Sequence, residues 1–348
     1  MNNKPILGIL LGDACGVGPE IIAKLAENNR LYPYCRPVII GDARILEQAM
    51  KITGSSFRVQ PIDAVEEARW ERGNYPVLDQ KNVDPKDIEI GKVSRIAGKA
   101  AGDMLITAMD LCLVGELDGF AFAPLNKTSL KMGGHDFESE NKLFAHHLKI
   151  DGISCEVNVL GNLWTSRVTS HIPVKDVSAN LTVDSIQDAM RLIHKTMKLA
   201  KVEKPRIGVA ALNPHGGEHG TCGTEEIDVI IPAIRQAKLE GLDVYGPYPS
   251  DILFVKAFEG IFDAAVTMYH DQGQIALKVK GFQYGVTFHA NLPVAIATAA
   301  HGSAFDIAGK NLVTTDAMEN AIKMAGAVAE GYREQRVTGP EEMLAGVC

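Results

Sequence analysis

What most constrains the fold of this chain is an alternation that runs its whole length. Short apolar runs at 6–11, 38–40, 119–123, 157–160, 207–211, 264–267 and 294–298 read as strands. Longer stretches with helical spacing separate them, at 19–28, 43–50, 90–114, 183–199, 225–240, 249–258 and 315–332. Strands that alternate with helices predict a layered α/β fold with a largely parallel sheet, because each helix carries the chain back to start the next strand in the same direction. A length of 348 residues allows about two domains. No repeat, low-complexity tract or flexible linker divides them, so crossings through short hinges or one continuous sheet are expected. The stretch 127–148 is polar and irregular and reads as a substrate loop or a surface excursion.

Composition removes several function classes. A formal net charge of −8 argues against a nucleic-acid partner, which calls for a basic patch or stripe. Local lysines and backbone N–H groups still suffice for an anionic small molecule. Six cysteines stand scattered without CxxC pairs, which fits reduced thiols in a cytoplasmic protein rather than a disulfide framework or thiolate zinc site. The apolar run at 6–11 is too short for a signal sequence, and no apolar run is long enough to span a membrane.

Three histidines carry the strongest chemistry. His171 follows a strand-like run in Val168-Thr-Ser-His-Ile-Pro173. His215 follows the run 207–211, in Asn213-Pro-His-Gly-Gly-Glu218. His270 follows 264–267, in Met268-Tyr-His-Asp-Gln-Gly273. Each lies where a strand stops, and in open α/β sheets that rim binds ligands. Three neutral imidazoles meeting there would hold Zn²⁺, Mn²⁺, Co²⁺ or Mg²⁺ with positions left for substrate oxygens. Singly, each histidine is also explained as a structural hydrogen-bonder. Asp251 and Asp271 are carboxylates close in sequence to this set. Asp251 can orient a ligating histidine or simply favour a helix N-terminus.

The segment Leu11-Gly-Asp-Ala-Cys-Gly-Val-Gly-Pro-Glu20 joins a strand to a helix, and Gly12 permits a tight turn or close approach of a ligand. It lacks the G-x-G-x-x-G spacing, and a purely structural turn accounts for it equally. His301-Gly-Ser-Ala-Phe-Asp306 follows another strand. His301, Gly302, Ser303 and Ala304 can meet an adenine while Asp306 accepts from ribose hydroxyls; an ordinary strand-to-helix loop also fits. Lys127 and Lys278 are candidates to pair with a substrate carboxylate or move a proton, or are solvated surface lysines.

These blocks, with Ala123-Pro-Leu-Asn-Lys127, Gly223-Thr-Glu-Glu226 and Gly246-Pro247, resemble the 4-hydroxythreonine-4-phosphate dehydrogenase family along nearly the whole chain. The resemblance implies a two-domain α/β/α subunit like isocitrate and isopropylmalate dehydrogenases, with the active site in the interdomain cleft. It implies a cofactor-side domain of residues 1–125 plus 296–348 and a metal, substrate and dimerisation domain of 126–295. It also implies a homodimer with His171, His215 and His270 as metal ligands drawn from both subunits. NAD-linked oxidation of a secondary alcohol in a hydroxy acid, usually with decarboxylation, follows from the same likeness. Lys278 falls on a substrate-binding lysine.

Four substrate positions depart from the family pattern. A His-Thr pair becomes Glu140 and Asn141, an Asn becomes Thr287, and an Arg falls at Ile296. Losing that Arg removes a bidentate anion clamp, and Glu140 repels a nearby phosphate. The changes point to a different, unphosphorylated substrate. A terephthalate-type cis-dihydrodiol dehydrogenase, a phosphate acyltransferase-like enzyme and an inactive binding protein are the competing readings.

Overall fold

The computed structural model describes residues 3–150 and 154–338. The chain divides into two compact units, Met1–Cys155 with Val286–Cys348, and Glu156–Gly285.

In the first unit the strands are β1 (Ile6–Leu10), β2 (Arg36–Gly41), β3 (Arg58–Ile62), β4 (Asn74–Asp79) and β5 (Gly119–Phe122). The second unit supplies β6 (Cys155–Leu160), β7 (Leu163–Arg167), β8 (Ile207–Ala210), β9 (Val244–Tyr248) and β10 (Ala264–Thr267). The chain then returns to the first unit with β11 (Val286–Ala290) and β12 (Ala295–Ala299). The helices are α1 (Gly18–Glu27), α2 (Ala43–Thr53), α3 (Arg95–Leu113), α4 (Lys127–Met132), α5 (Glu140–His147), α6 (Val183–Leu199), α7 (Ile231–Leu239), α8 (Ser250–Phe258), α9 (His270–Gly281) and α10 (Asp316–Thr338).

Strand order in the first unit is β3-β4-β2-β1-β5-β12-β11. All these neighbours run parallel except β11, which pairs antiparallel with β12. Leu7 and Ile9 of β1 and Phe120 of β5 are fully buried, as expected of central strands covered on both faces. Each such side chain contributes roughly 1.5–3 kcal/mol of burial. In the second unit the order is β6-β7-β10-β8-β9. β7, β10, β8 and β9 are parallel, and β6 forms an antiparallel hairpin with β7. Leu163, Leu253, Phe254, Phe262 and Leu277 pack together in its core.

Two expectations need correction. The stretch 127–148 is not irregular. It holds α4, capped by Asn126 Oδ1 accepting from Ser129 N at 2.9 Å, and α5, capped by Ser139 Oγ accepting from Lys142 N at 3.3 Å. This segment and 286–295 fall in the first unit, where boundaries at 125 and 295 had placed them in the second. The close packing of α4 on α3 explains the first shift: a Cβ on Gly98 of α3 would lie 1.8 Å from the Ser129 carbonyl oxygen. β11 joins this unit because it pairs with β12.

Among the described residues no helix is long and apolar enough to cross a membrane.

Candidate functional site

In each unit the polar candidates gather at the carboxyl ends of three neighbouring parallel strands. In the second unit these are β7, β10 and β8. His171 follows β7, His270 opens α9 directly after β10, and His215 follows β8. Parallel strands end on one edge of a sheet, so adjacency in the sheet gathers residues far apart in sequence.

The loops are tied to one another. Thr169 N and Oγ1 both donate to the Met268 carbonyl, at 3.1 and 2.8 Å. Gln272 Oε1 accepts from Met268 N at 2.7 Å, and its amide donates to the Ala211 carbonyl at 2.7 Å and to Ser250 Oγ at 2.6 Å. Gln272 thereby joins the β10, β8 and α8 ends.

The rings of His171 and His270 lie 5.7 Å apart between centroids. His270 Nδ1 pairs with Asp271 Oδ1 at 2.7 Å, and His215 Nδ1 with Glu218 Oε1 at 2.8 Å. A carboxylate on one ring nitrogen fixes the tautomer and presents the other nitrogen outward, the usual arrangement of ligating histidines. The Glu218 hydrogen bond raises the pKa of His215, and Asp251 adds to this. The donor set therefore suits a divalent ion. Of these three histidines, His171 and His270 are the pair in ring contact among the described residues. Among the described residues no group of three or more His, Cys, Asp or Glu is clustered closely enough to enclose a metal.

Asp251 lies exposed in the first turn of α8, its carboxylate accepting from Ile252 N at 2.9 Å. Lys278 is exposed on α9.

The rim of the first unit is formed by β1, β5 and β12. Gly12 follows β1 with φ of +75°, and a Cβ there would lie 2.6 Å from the Ala123 carbonyl oxygen. The demand for glycine thus comes from the backbone after β5. Next to it Asp13 is buried; desolvation raises its pKa although Cys15 N donates to it at 2.8 Å. The 301–311 loop follows β12. Val17 N donates to the Ser303 carbonyl at 3.0 Å, so the two candidate cofactor loops are in contact. Glu20 is 2% exposed and accepts from Gly309 N at 2.5 Å and Asn311 N at 2.9 Å. Ser303 is buried, His301 and Ala304 are partly exposed, and Gly302 and Asp306 are exposed. A Cβ on Gly302 would meet nothing within 4 Å, which leaves room for a ligand beside that backbone.

Lys127 opens α4 after β5. With Leu130, His135, Phe137, Ser139, Glu140 and Leu143 it lines a hollow. Asn141 points elsewhere. It is 8% exposed, donates to the Ser154 carbonyl and Oγ at 3.0 Å each, and its Oδ1 meets His289 Nδ1 at 3.2 Å. In the β11–β12 register Thr287 lies opposite Thr298 and His289 opposite Ile296, so these four share one sheet face. Ile296 is fully buried.

Strand-end rims of this kind belong to α/β enzymes that bind nucleotides and anionic metabolites. The profile of the family described as pyridoxal phosphate biosynthetic protein PdxA matches residues 33–325, and the chain belongs to that family. A Pseudomonas aeruginosa protein provisionally named 4-hydroxythreonine-4-phosphate dehydrogenase 2 is 41% identical over 92% of this chain and 96% of its own. D-threonate 4-phosphate dehydrogenase of Cupriavidus necator is 38% identical over 93% and 97%. A crystal structure of a 4-hydroxythreonine-4-phosphate dehydrogenase from Burkholderia phymatum superposes with a TM-score of 0.80 at 38% identity, covering 94% and 99%. The chain is accordingly an oxidoreductase, the catalytic class its named relatives share.

Sequence reasoning passed over Glu226, Gln272 and His289. Glu226 and Gln272 lie inside blocks singled out for other residues. His289 is the lone ring nitrogen donor in an otherwise apolar alternation.

Proposed function

We propose that this protein is an NAD-linked, divalent-metal-dependent dehydrogenase. It oxidises a secondary alcohol in a hydroxy acid related to 4-hydroxythreonine 4-phosphate or D-threonate 4-phosphate, and loss of CO₂ follows where the product is a β-keto acid. The observation that carries this reading is the set of His171, His215 and His270 on three adjacent strand ends, two of them backed by carboxylates.

Those histidines hold the ion. His301, Gly302, Ser303, Ala304 and Asp306, with the Gly12 turn, hold NAD. When bound, such an ion would supply Lewis acidity toward the substrate hydroxyl and the nicotinamide would supply a hydride acceptor. Lys127, or a water held by Asp271, would take the hydroxyl proton, and Lys278 would pair with a substrate anionic group. Asp306 accepts from the ribose hydroxyls and disfavours a 2′-phosphate by repulsion.

The protein acts in the cytoplasm as a homodimer. Ile275 and Val279, 62% and 85% exposed, lie one helical turn apart on α9, the helix that His270 opens. A partner subunit covering that apolar face stands next to the histidine rim.

Glu140, which lines the Lys127 hollow, favours an unphosphorylated hydroxy acid, because a carboxylate repels a phosphate and the fully buried Ile296 supplies it no cation. NADH formation, followed by absorbance over phosphorylated and unphosphorylated hydroxy acids and a cis-dihydrodiol carboxylate, decides substrate class. Activity is expected to vanish on chelation and return with Mn²⁺, Co²⁺ or Zn²⁺. Full turnover by metal-stripped protein contradicts the reading, and efficient turnover of 4-hydroxythreonine 4-phosphate contradicts the unphosphorylated preference.

A further inference from the structure

The loop that carries His215 has an unusual backbone. Five consecutive residues, His215 to His219, have φ of +53, +70, +79, +46 and +57°. Two are glycines. The other three, His215, Glu218 and His219, hold a left-handed conformation in which the Cβ of an L-residue crowds the following carbonyl oxygen. Such a run persists only where its surroundings fix it, and its usual home is a functional site.

Backbone bonds close the loop, Gly216 N to the Asn213 carbonyl at 3.2 Å and Cys222 N to the Gly217 carbonyl at 3.0 Å, and one buried side chain anchors its entry. Beyond the end of β8, Ala211 N still donates to the Tyr248 carbonyl at 2.7 Å, as a sheet residue would. Leu212 N and Asn213 N do not continue that pattern. Both donate to Glu226 Oε1, at 2.8 Å each. The other oxygen, Oε2, accepts from Asn213 Nδ2 at 2.9 Å. The same amide reaches Glu225 Oε2 at 2.7 Å, and Glu225 Oε1 accepts from Ser178 Oγ at 2.5 Å. Glu226 is 2% exposed and opens the π-turn Glu226–Ile230 at the entry to α7. Pro232, just inside that helix, cannot donate to the carbonyl four residues back, which favours a widened turn there. The middle of the loop also rests on this carboxylate: a Cβ on Gly217 would come within 2.6 Å of Glu226 Oε2.

We propose that Glu226 is the positioning residue of the candidate metal site: its buried carboxylate holds the His215 loop left-handed and so aims the imidazole at the ion. The inference rests on the reading of His215 as a ligand. Three hydrogen bonds, all from Leu212 and Asn213, satisfy the carboxylate and tie it to the entry of the His215 loop.

The test uses the full-length protein, stripped of metal and titrated with Zn²⁺ by calorimetry. Co²⁺ then serves as a visible-spectrum probe of coordination geometry. Glu226→Ala is expected to weaken Zn²⁺ binding by about 10- to 100-fold and to change the Co²⁺ bands even at saturation. Glu226→Gln keeps the acceptor for Leu212 and Asn213 and should fall between the two. Gly217→Ala, which alters no carboxylate, should give the Glu226→Ala result. Asp228→Asn, an exposed neighbour, should match wild type. Should Glu226→Ala fail to fold, Glu226→Gln and Gly217→Ala decide the matter. Wild-type affinity and Co²⁺ bands in the Glu226 and Gly217 variants, with binding lost in His215→Ala, overturn the inference and leave the metal reading standing. If wild type takes up no ion, or His215→Ala binds as wild type, the metal reading falls and the inference with it.

Discussion

The rims of the two units solve the same problem in different ways. Each has a strand-end loop whose backbone N–H groups find no strand partner, and each satisfies two of them with a buried glutamate from a helix N-terminus. In the first unit, Glu20 of α1 reaches Gly309 and Asn311 in the loop after β12. In the second, Glu226 reaches Leu212 and Asn213, in the loop that its own helix follows in sequence. Glu20 is therefore a tie between two rim loops, those after β1 and β12, whereas Glu226 acts within one loop and fixes its hand. The tied loop carries only isolated left-handed non-glycine residues, Ala304 and Asn311 with φ of +43 and +58°, and leaves Gly302 and Asp306 exposed. The local brace sits beside an unbroken run of five left-handed residues, His215 to His219. The comparison teaches that a glutamate at a helix start can either join two rim loops or anchor the entry of one.

Breaking the tie is expected to have the largest effect. Glu20→Ala removes two charge-assisted hydrogen bonds and should destabilise the first unit by about 3 kcal/mol. Hydrogen exchange at Gly309 and Asn311 would report it, and NAD⁺ binding measured by calorimetry should weaken about tenfold, while Zn²⁺ binding stays unchanged. Equal loss of both ligands would erase the distinction between the rims.

Next in size is Gln272→Ala. It leaves Met268 N and the Ala211 carbonyl without the side chain that joins them, at a cost of about 2 kcal/mol. Because it links the loops after β8 and β10, metal affinity should fall while NAD⁺ affinity holds, as titrations of each ligand would show.

A smaller effect sharpens the comparison away from either rim. Arg206 donates to both Asp263 oxygens, at 2.9 and 2.8 Å, and its hydrogen bonds lower the Asp263 pKa. A carboxylate with a depressed folded pKa adds stability that is full above its unfolded value, near 3.9, and disappears as pH falls through the folded value. Asp263→Asn should therefore lower urea stability at pH 7 by about 1 kcal/mol, discounted for a partly exposed pair, and by progressively less below pH 4. An undiminished difference at pH 2 would contradict this.

Much of the fold was legible because central strands such as β1, β5, β8 and β10 are short, apolar and bounded by helices. Five strands escaped notice, β3, β4, β7, β9 and β11, and three of them have a physical reason to look unlike strands. β3, β4 and β9 carry Pro61, Pro76 and Pro247, and β3 and β9 are edges with exposed positions. α9 escaped because its buried positions are Gly273, Leu277 and Gly281, spaced every four residues but mostly without apolar bulk. At the site, the histidines could be read from their strand-end context. Glu226, Gln272 and the Asn141–His289 contact could not, because their roles lie in hydrogen bonds between segments distant in sequence. Asn141 shows the limit most clearly: its family position suggests substrate, while its amide is occupied by Ser154 and His289.

The account depends most on one ion meeting three imidazoles. A crystal structure of the protein grown with Zn²⁺, with anomalous scattering collected at the zinc edge, tests this directly. The account predicts one zinc peak with nitrogens of His171, His215 and His270 at about 2.0–2.1 Å, the ring carboxylates Glu218 and Asp271 still on the opposite nitrogens. Zinc found elsewhere, or bound without His215, would contradict it.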